Sequence, residues 1–166
     1  AQMKFSPKMM EFNNLDLQTP NSKLSNYYVM RFDDFEYDMN RFLHNVTLEG
    51  NFINSELNSK DLAYFAPELA SWKRTFYLNG KAKGTIDNLS AKQINIKSGN
   101  TAIDGEIALR GLPDIDNTFI DLKANNLQTT YADLISIIPA LKNITQPKLS
   151  KLGNIRYKGN FTGFIS

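Results

Sequence analysis

The 166-residue sequence has no cysteine. That excludes disulfides, thiolate zinc sites, iron–sulfur clusters and cysteine nucleophiles together. It has one histidine, His44, so a Ser-His-Asp triad would have to pass through that residue, and a multi-histidine metal centre is excluded. Charge of one sign is scarce in net terms: 19 Lys and Arg stand against 17 Asp and Glu, a balance of +2. Nothing electrostatic therefore points to nucleic acid. No apolar run approaches the ~20 residues of a membrane-spanning helix, and no signal-peptide pattern opens the chain. The chain begins at Ala1, not Met, and is expected to be a mature form or an excised piece. At 42% hydrophobic and 22% charged residues, the composition is globular, not disordered.

Asparagine is what the sequence has in excess, with 19 residues. Asn resists helix and favours turns and exposed strand positions. Together with nine dispersed glycines, it points to many short strands and turns.

Alternation of period two, the mark of a half-buried strand, recurs along the chain. Val46, Leu48, Gly50 and Phe52 share one face. Phe76, Leu78, Gly80, Ala82, Gly84 and Ile86 form another run, as do Ile94 and Ile96. Thr101, Ile103, Gly105, Ile107 and Leu109 follow, then Ile120, Leu122 and Ala124, then Ile155, Tyr157, Gly159, Phe161, Gly163 and Ile165. Leu15 to Phe32 is strand-like too. Turn residues at Asp87-Asn88, Ser98-Gly99-Asn100, Leu112-Pro113-Asp114 and Asp116-Asn117 separate the runs, so neighbouring strands must be antiparallel. The fold class expected is mainly β: an elongated, curled antiparallel sheet with two short helices.

Those helices are signalled where the period changes. Leu62, Phe65, Leu69 and Trp72 step by three or four, with Ser59 as expected N-cap. Leu134, Ile137, Ile138 and Leu141 do the same behind Thr130 and Asp133, a partial capping box. Pro67 and Pro139 should split or kink each helix. Leu62, Phe65, Pro67 and Leu69 match Leu134, Ile137, Pro139 and Leu141 at a constant offset of 72 residues, and the strands that follow match at 79. The chain is thus read as one fragment, residues 1–166, of a longer repeat protein, with internal repeats at about 46–109 and 118–166.

Candidate chemistry is thin. Asp33 to Asn40 is acidic but lacks the glycine and the final bidentate Glu of a calcium loop; a solvated turn or helix face is expected. His44, beside Phe42 and Leu43, is expected to be a partly buried structural residue. Chance carboxylate pairs do not make a glycosidase. The four Asn-x-Ser/Thr sequons, at Asn45, Asn88, Asn143 and Asn160, follow from composition. Lys81, Lys83, Arg156 and Lys158 are read as solubilising charge, with a basic rim for phosphate headgroups as the sharper alternative. No cofactor, no metal and no enzymatic activity are expected. The informative feature is the apolar stripe: a core if a second sheet covers it, or an open groove that an acyl chain would fill at ~0.8 kcal/mol per buried methylene.

The glycine-spaced strands, the stretch Gly105 to Asp114 with Phe119-Ile120-Asp121-Leu122, and the Asp61 to Leu69 helix resemble the AsmA-like superfamily, in particular the TamB-type translocation and assembly proteins of Bacteroidetes. The resemblance runs from about Leu15 onward. It implies a β-taco, solenoid-like sheet in a long, inner-membrane-anchored periplasmic protein. It also implies phospholipid transport toward the outer membrane, outer-membrane assembly, and an Omp85-type barrel partner reached through regions absent here. The remaining partners it implies are phospholipid acyl chains and the rest of the same chain. The candidate groove lining is then Val46, Leu48, Phe52, Phe76, Leu78, Ile86, Ile103, Ile107, Leu109, Ile120, Leu122, Ile155 and Phe161. The alternative function is a structural or scaffolding β-repeat with a closed core and no lipid.

Overall fold

A computed structural model of the chain describes residues 1–64 and 66–164. The described residues form nine strands: β1 (Gln2–Ser6), β2 (Met9–Gln18), β3 (Lys23–Arg31), β4 (Thr47–Asn58), β5 (Thr75–Thr85), β6 (Asn88–Ser98), β7 (Thr101–Arg110), β8 (Phe119–Thr130) and β9 (Asn154–Phe164). They make one antiparallel meander in sequence order, curled but not closed. Phe65 and Ile165, assigned above to a helix and to the last strand, lie with Ser166 outside the described residues.

Among the described residues, four short α-helices decorate the ends of the sheet: α1 (Phe35–Met39), α2 (Phe42–Asn45), α3 (Ser59–Leu62) and α4 (Tyr131–Ile137). The last two are the expected pair. Each stops before its proline, and Pro67 and Pro139 open separate 3-10 segments, Pro67–Ser71 and Pro139–Asn143. A proline lacks the N–H that a continuing helix needs but is harmless at the first position of a new one. Thr130 caps α4 as expected, its hydroxyl accepting from the Asp133 amide. The cap of α3 is Asn58, not Ser59. Ser59 is fully buried, and its hydroxyl accepts instead from the Arg74 amide at 3.0 Å.

The acidic stretch forms α1, capped by Asp34, and one of its acids is not solvated. Asp38 is buried and accepts from the Asp33 and Asp34 amides at 2.7 and 3.0 Å and from Asn45 at 2.8 Å. Those bonds, the Asp34 amide foremost, hold its carboxyl below the ordinary range. It ties α1 to α2.

Seven successive strand pairs, from β2–β3 to β8–β9, each carry a register shift, and together the shifts draw one line across the sheet. Extra residues sit at Asn14, Asn54 and Gln93, all at φ near +50°, and at Asn125. Opposite them stand Asn26 (φ +98°), Gly80, Gly105 and Gly159. A bulge places two residues against one, bends the strand and sharpens its twist, so this row is a crease. At Gly105 an added Cβ would stand 2.0 Å from the Lys123 carbonyl. Asn tolerates positive φ better than most residues, which gives part of the asparagine excess a physical cause.

The halves β2–β5 and β6–β9 repeat the same register. Asn26 pairs with Leu15 and Phe52, as Gly105 pairs with Ile94 and Ala124. Arg31 pairs with Met9 and Thr47, as Arg110 pairs with Asn88 and Phe119. The likeness noted between the helices therefore extends back through β2 and β3. It reaches the side-chain contacts as well. Asp61 of α3 accepts from Thr19 and Asn21 of the β2–β3 turn at 2.5 and 3.0 Å. Its counterpart Asp133 accepts from the Asn100 amide of the β6–β7 turn at 2.7 Å and from Arg74 at 2.6 Å.

Candidate functional site: an uncovered apolar face

Antiparallel partners share a face, as do residues i and i+2. Pairs Leu48–Gly84, Phe52–Gly80 and Leu57–Phe76 join β4 to β5. Leu78–Ile96 and Ile96–Ile103 carry the face to β7. Ile107–Leu122, Leu122–Phe161, Leu109–Ile120 and Thr129–Ile155 carry it to β9. Eleven of the thirteen candidate lining residues thus stand on one face. The other two do not line it: Ile86 sits in the β5–β6 turn, and Val46 is fully buried at the end of α2, where no ligand can touch it.

Several contributors escaped the sequence reading. Met10–Met30 and Phe12–Tyr28 extend the face through β2 and β3, and Leu15, Leu17 and Leu24 extend it beyond the crease. The available signal was Asn13-Asn14 between Phe12 and Leu15, two adjacent turn-formers inside an apolar alternation.

Among the described residues one sheet supplies this face, with no second sheet across it. Leu48, Phe52, Leu78, Ile103, Ile107, Leu109 and Ile120 accordingly stay half-buried, while Phe161 is exposed. Only Leu15, Ile94, Leu122 and Ala124, nearer the crease, are packed away from water. Nine strands spaced by about 4.8 Å, with about 3.4 Å rise per residue, give a sheet footprint on the order of 1,000 Å², glycines and polar positions included. Soluble monomers usually expose contiguous apolar patches of a few hundred Å². Side chains are thinned at the glycines, and rings lie back along the sheet: the Phe52 ring covers Gly50 and the Tyr157 ring covers Gly159.

Tyr28 is an aromatic polar group set into this surface. Its ring stacks on Phe12 at 6.2 Å and tilts against Phe52 at 6.5 Å. Burial alone pushes its phenol up to about 12, so its surroundings have low polarity. Among the described residues its hydroxyl has no hydrogen-bond partner.

The opposite face is mostly polar, with Val29 fully buried on it. Lys83 lies 3.6 Å from Glu49, and Lys123 4.0 Å from Glu106. Two hollows open there, of about 800 and 310 Å³, the larger bounded by Tyr27, Glu49, Lys81, Lys83, Lys92 and Glu106. A single twisted sheet is saddle-shaped, so a curve that opens one face along one diagonal opens the other face along the second.

The titratable groups of the rims bond to neighbouring loops and turns. His44 is exposed, contrary to the burial expected of it, and its Nδ1 lies 2.7 Å from Asp87 across the α2 and β5–β6 loops. Burial raises the Asp133 carboxyl, but Arg74 and the Asn100 amide outweigh this and leave it below the usual range. The hydroxyls of Ser22 and Thr19 lower Asp61. Every carboxylate with a resolved shift among the described residues moves down. No group of His, Asp and Glu among the described residues is placed to hold a metal ion, and no helix is long and apolar enough to cross a membrane. Comparison with family models, curated proteins and solved structures gives no match.

Proposed function

We propose that this chain is a periplasmic segment of an inner-to-outer membrane phospholipid transport or outer-membrane assembly protein, and that its apolar face receives lipid acyl chains. The observation that supports this most is the uncovered apolar face, tied in register from β2 to β9. An exposed apolar surface of this size is unfavourable in water unless something covers it. An acyl chain does so at ~0.8 kcal/mol per methylene. What supports the periplasmic, membrane-to-membrane setting is the resemblance to TamB-type proteins. The role is binding and conduction, not catalysis.

A scaffolding role is the second reading. The observation in its favour is the repeat itself, with each helix clamped to a neighbouring turn through Asp61 or Asp133, because a spacer needs only regular repeats.

Substitution on the face separates the two. Leu78 and Ile107 are half-buried, whereas Ile94 is 5% exposed. Leu78→Asp and Ile107→Asp should leave the melting transition within a few degrees of the parent and remove most lipid photocrosslinking, since the carboxylate still meets water. Ile94→Asp should unfold the chain, because an unpaired buried carboxylate costs several kcal/mol. Lipid crosslinking unchanged in Leu78→Asp and Ile107→Asp would favour the scaffold.

A further inference from the structure

The meander sends its connections alternately to two ends of the sheet. Residues 19–22, 59–74, 99–100 and 131–153 lie at the end that holds α3 and α4. Residues 7–8, 32–46, 86–87 and 111–118 lie at the end that holds α1 and α2. The first set carries six Lys and Arg against three Asp and Glu, a balance of +3. The second carries two against seven, a balance of −5. A strand of about ten residues separates the ends by roughly 33 Å, well beyond the Debye length of about 10 Å at 0.1 M salt. The ends therefore act as separate charges, which the overall +2 conceals.

Two of the three acids at the basic end are engaged within the fold. Asp133 is buried against Arg74 at 2.6 Å, and Asp61 accepts from Thr19 and Asn21. Its lysines are free of such partners. Lys60, Lys73, Lys142, Lys148 and Lys151 are exposed, and no carboxylate among the described residues lies within 4.0 Å of their ammonium groups. Apolar side chains stand exposed among them: Tyr64 is 87% exposed, Ile144 42% and Leu152 48%. Leu152 follows Lys151 directly, and Ile144 lies two residues from Lys142. The single tryptophan, Trp72, precedes Lys73. The two long connections meet, because Arg74 at the end of the first bonds Asp133 and Ser136 of α4, both at 2.6 Å.

A soluble polyanion would satisfy these lysines but offer nothing to Tyr64, Ile144 and Leu152. A membrane interface offers both. Its anionic headgroups draw each nearby lysine, and the boundary beneath them takes up aliphatic and aromatic side chains. We propose that the end of the sheet bearing α3 and α4 docks on an anionic phospholipid surface, with the acidic end turned away from it. The contact is separate from the apolar face and does not depend on what that face carries.

Flotation of the chain with vesicles tests this, using phosphatidylcholine alone and phosphatidylcholine mixed with phosphatidylglycerol. The chain should float with the anionic vesicles and not with the neutral ones. Salt at about 1 M, where the Debye length is about 3 Å, should release it. Brominated acyl chains in the anionic vesicles should quench Trp72, which lies at the docking end. Lys142→Gln, Lys148→Gln and Lys151→Gln together should weaken binding about a hundredfold, at roughly fivefold per lysine near the surface. Ile144→Ser with Leu152→Ser should weaken it about tenfold. Lys81→Gln, Lys83→Gln and Lys123→Gln together, on the polar face, should stay within about twofold of the parent. Leu78→Asp should also bind as the parent does, which separates docking from occupancy of the apolar face. Circular dichroism checks that each variant is folded. No flotation with anionic vesicles, equal flotation with both kinds, equal losses in the two lysine triples, or loss in folded Leu78→Asp would each overturn the proposal. So would binding that is indifferent to Ile144→Ser with Leu152→Ser and equally strong to lipid-free polyphosphate, which would assign this end to an acidic polymer.

Discussion

Gly105 and Gly153 show how the same residue type can be indispensable or idle. At Gly105, φ is +155° and a Cβ would meet the Lys123 carbonyl at 2.0 Å. At Gly153 a Cβ meets nothing within 4 Å. Gly105→Ala should therefore destabilise the chain by about 2 kcal/mol or more, the cost of a strained backbone with a clash added, while Gly153→Ala should fall within about 0.5 kcal/mol of the parent. Urea denaturation of the two variants checks this.

Arg74 and Asp133 form a mostly buried pair, 14% and 10% exposed, at 2.6 Å. Arg74→Ala leaves an unpaired buried carboxylate and should cost about 3 kcal/mol at pH 7. The native Asp133 carboxyl lies below its unfolded value, so its contribution is present above that value, near 3.9, and fades as pH falls through the native pKa. Without Arg74 the carboxyl loses a main lowering partner, so the variant has less stability to lose in acid. The gap between parent and variant should be widest at neutral pH and narrow below about pH 4. Melting temperatures across that range test the sign; a gap that widens in acid would contradict it.

At the scale of elements, the strands, the turns and the two proline-split helices were legible because each leaves a local mark: a period of two, a Gly or Asn cluster, a step of three or four before a proline. The crease was not. A bulge consumes one extra residue, so Leu48 and Phe52 before it and Leu57 after it fall on positions of opposite parity yet on the same face. A period-two reading ends the strand at the bulge. For that reason β4 and β8 run further than their first alternations, and Ala91 joins Ile94 across Lys92 and Gln93. β1 escaped because its side chains are all exposed and its pairing short, and α1 and α2 because five and four residues carry too little periodicity. The cap of α3 shifted by one residue since Asn58 and Ser59 are both capping types. The bulge makes its own prediction. Deleting Asn54 should move Ser55 and Leu57 to the polar face or shift the register with β5, destabilising the chain by more than Asn54→Gly, which keeps the residue count and the positive φ. Comparing their denaturation midpoints decides it.

For the whole molecule, the apolar stripe was legible and its cover was not, because alternation shows that a strand has a dry side without showing what lies against it. The fold leaves that side as one open face with Tyr28 set into it at an elevated pKa, while the polar side carries exposed Lys and Glu pairs. Lipid occupancy therefore tests the account at its centre. The purified chain is incubated with vesicles of a defined phospholipid, separated from them, and examined by native mass spectrometry. The account predicts adducts on the 18.8 kDa chain at the mass of whole phospholipids, lost in Leu78→Asp while the fold persists. A chain that stays at its bare mass over the full range of lipid, with its apolar face intact, would contradict it.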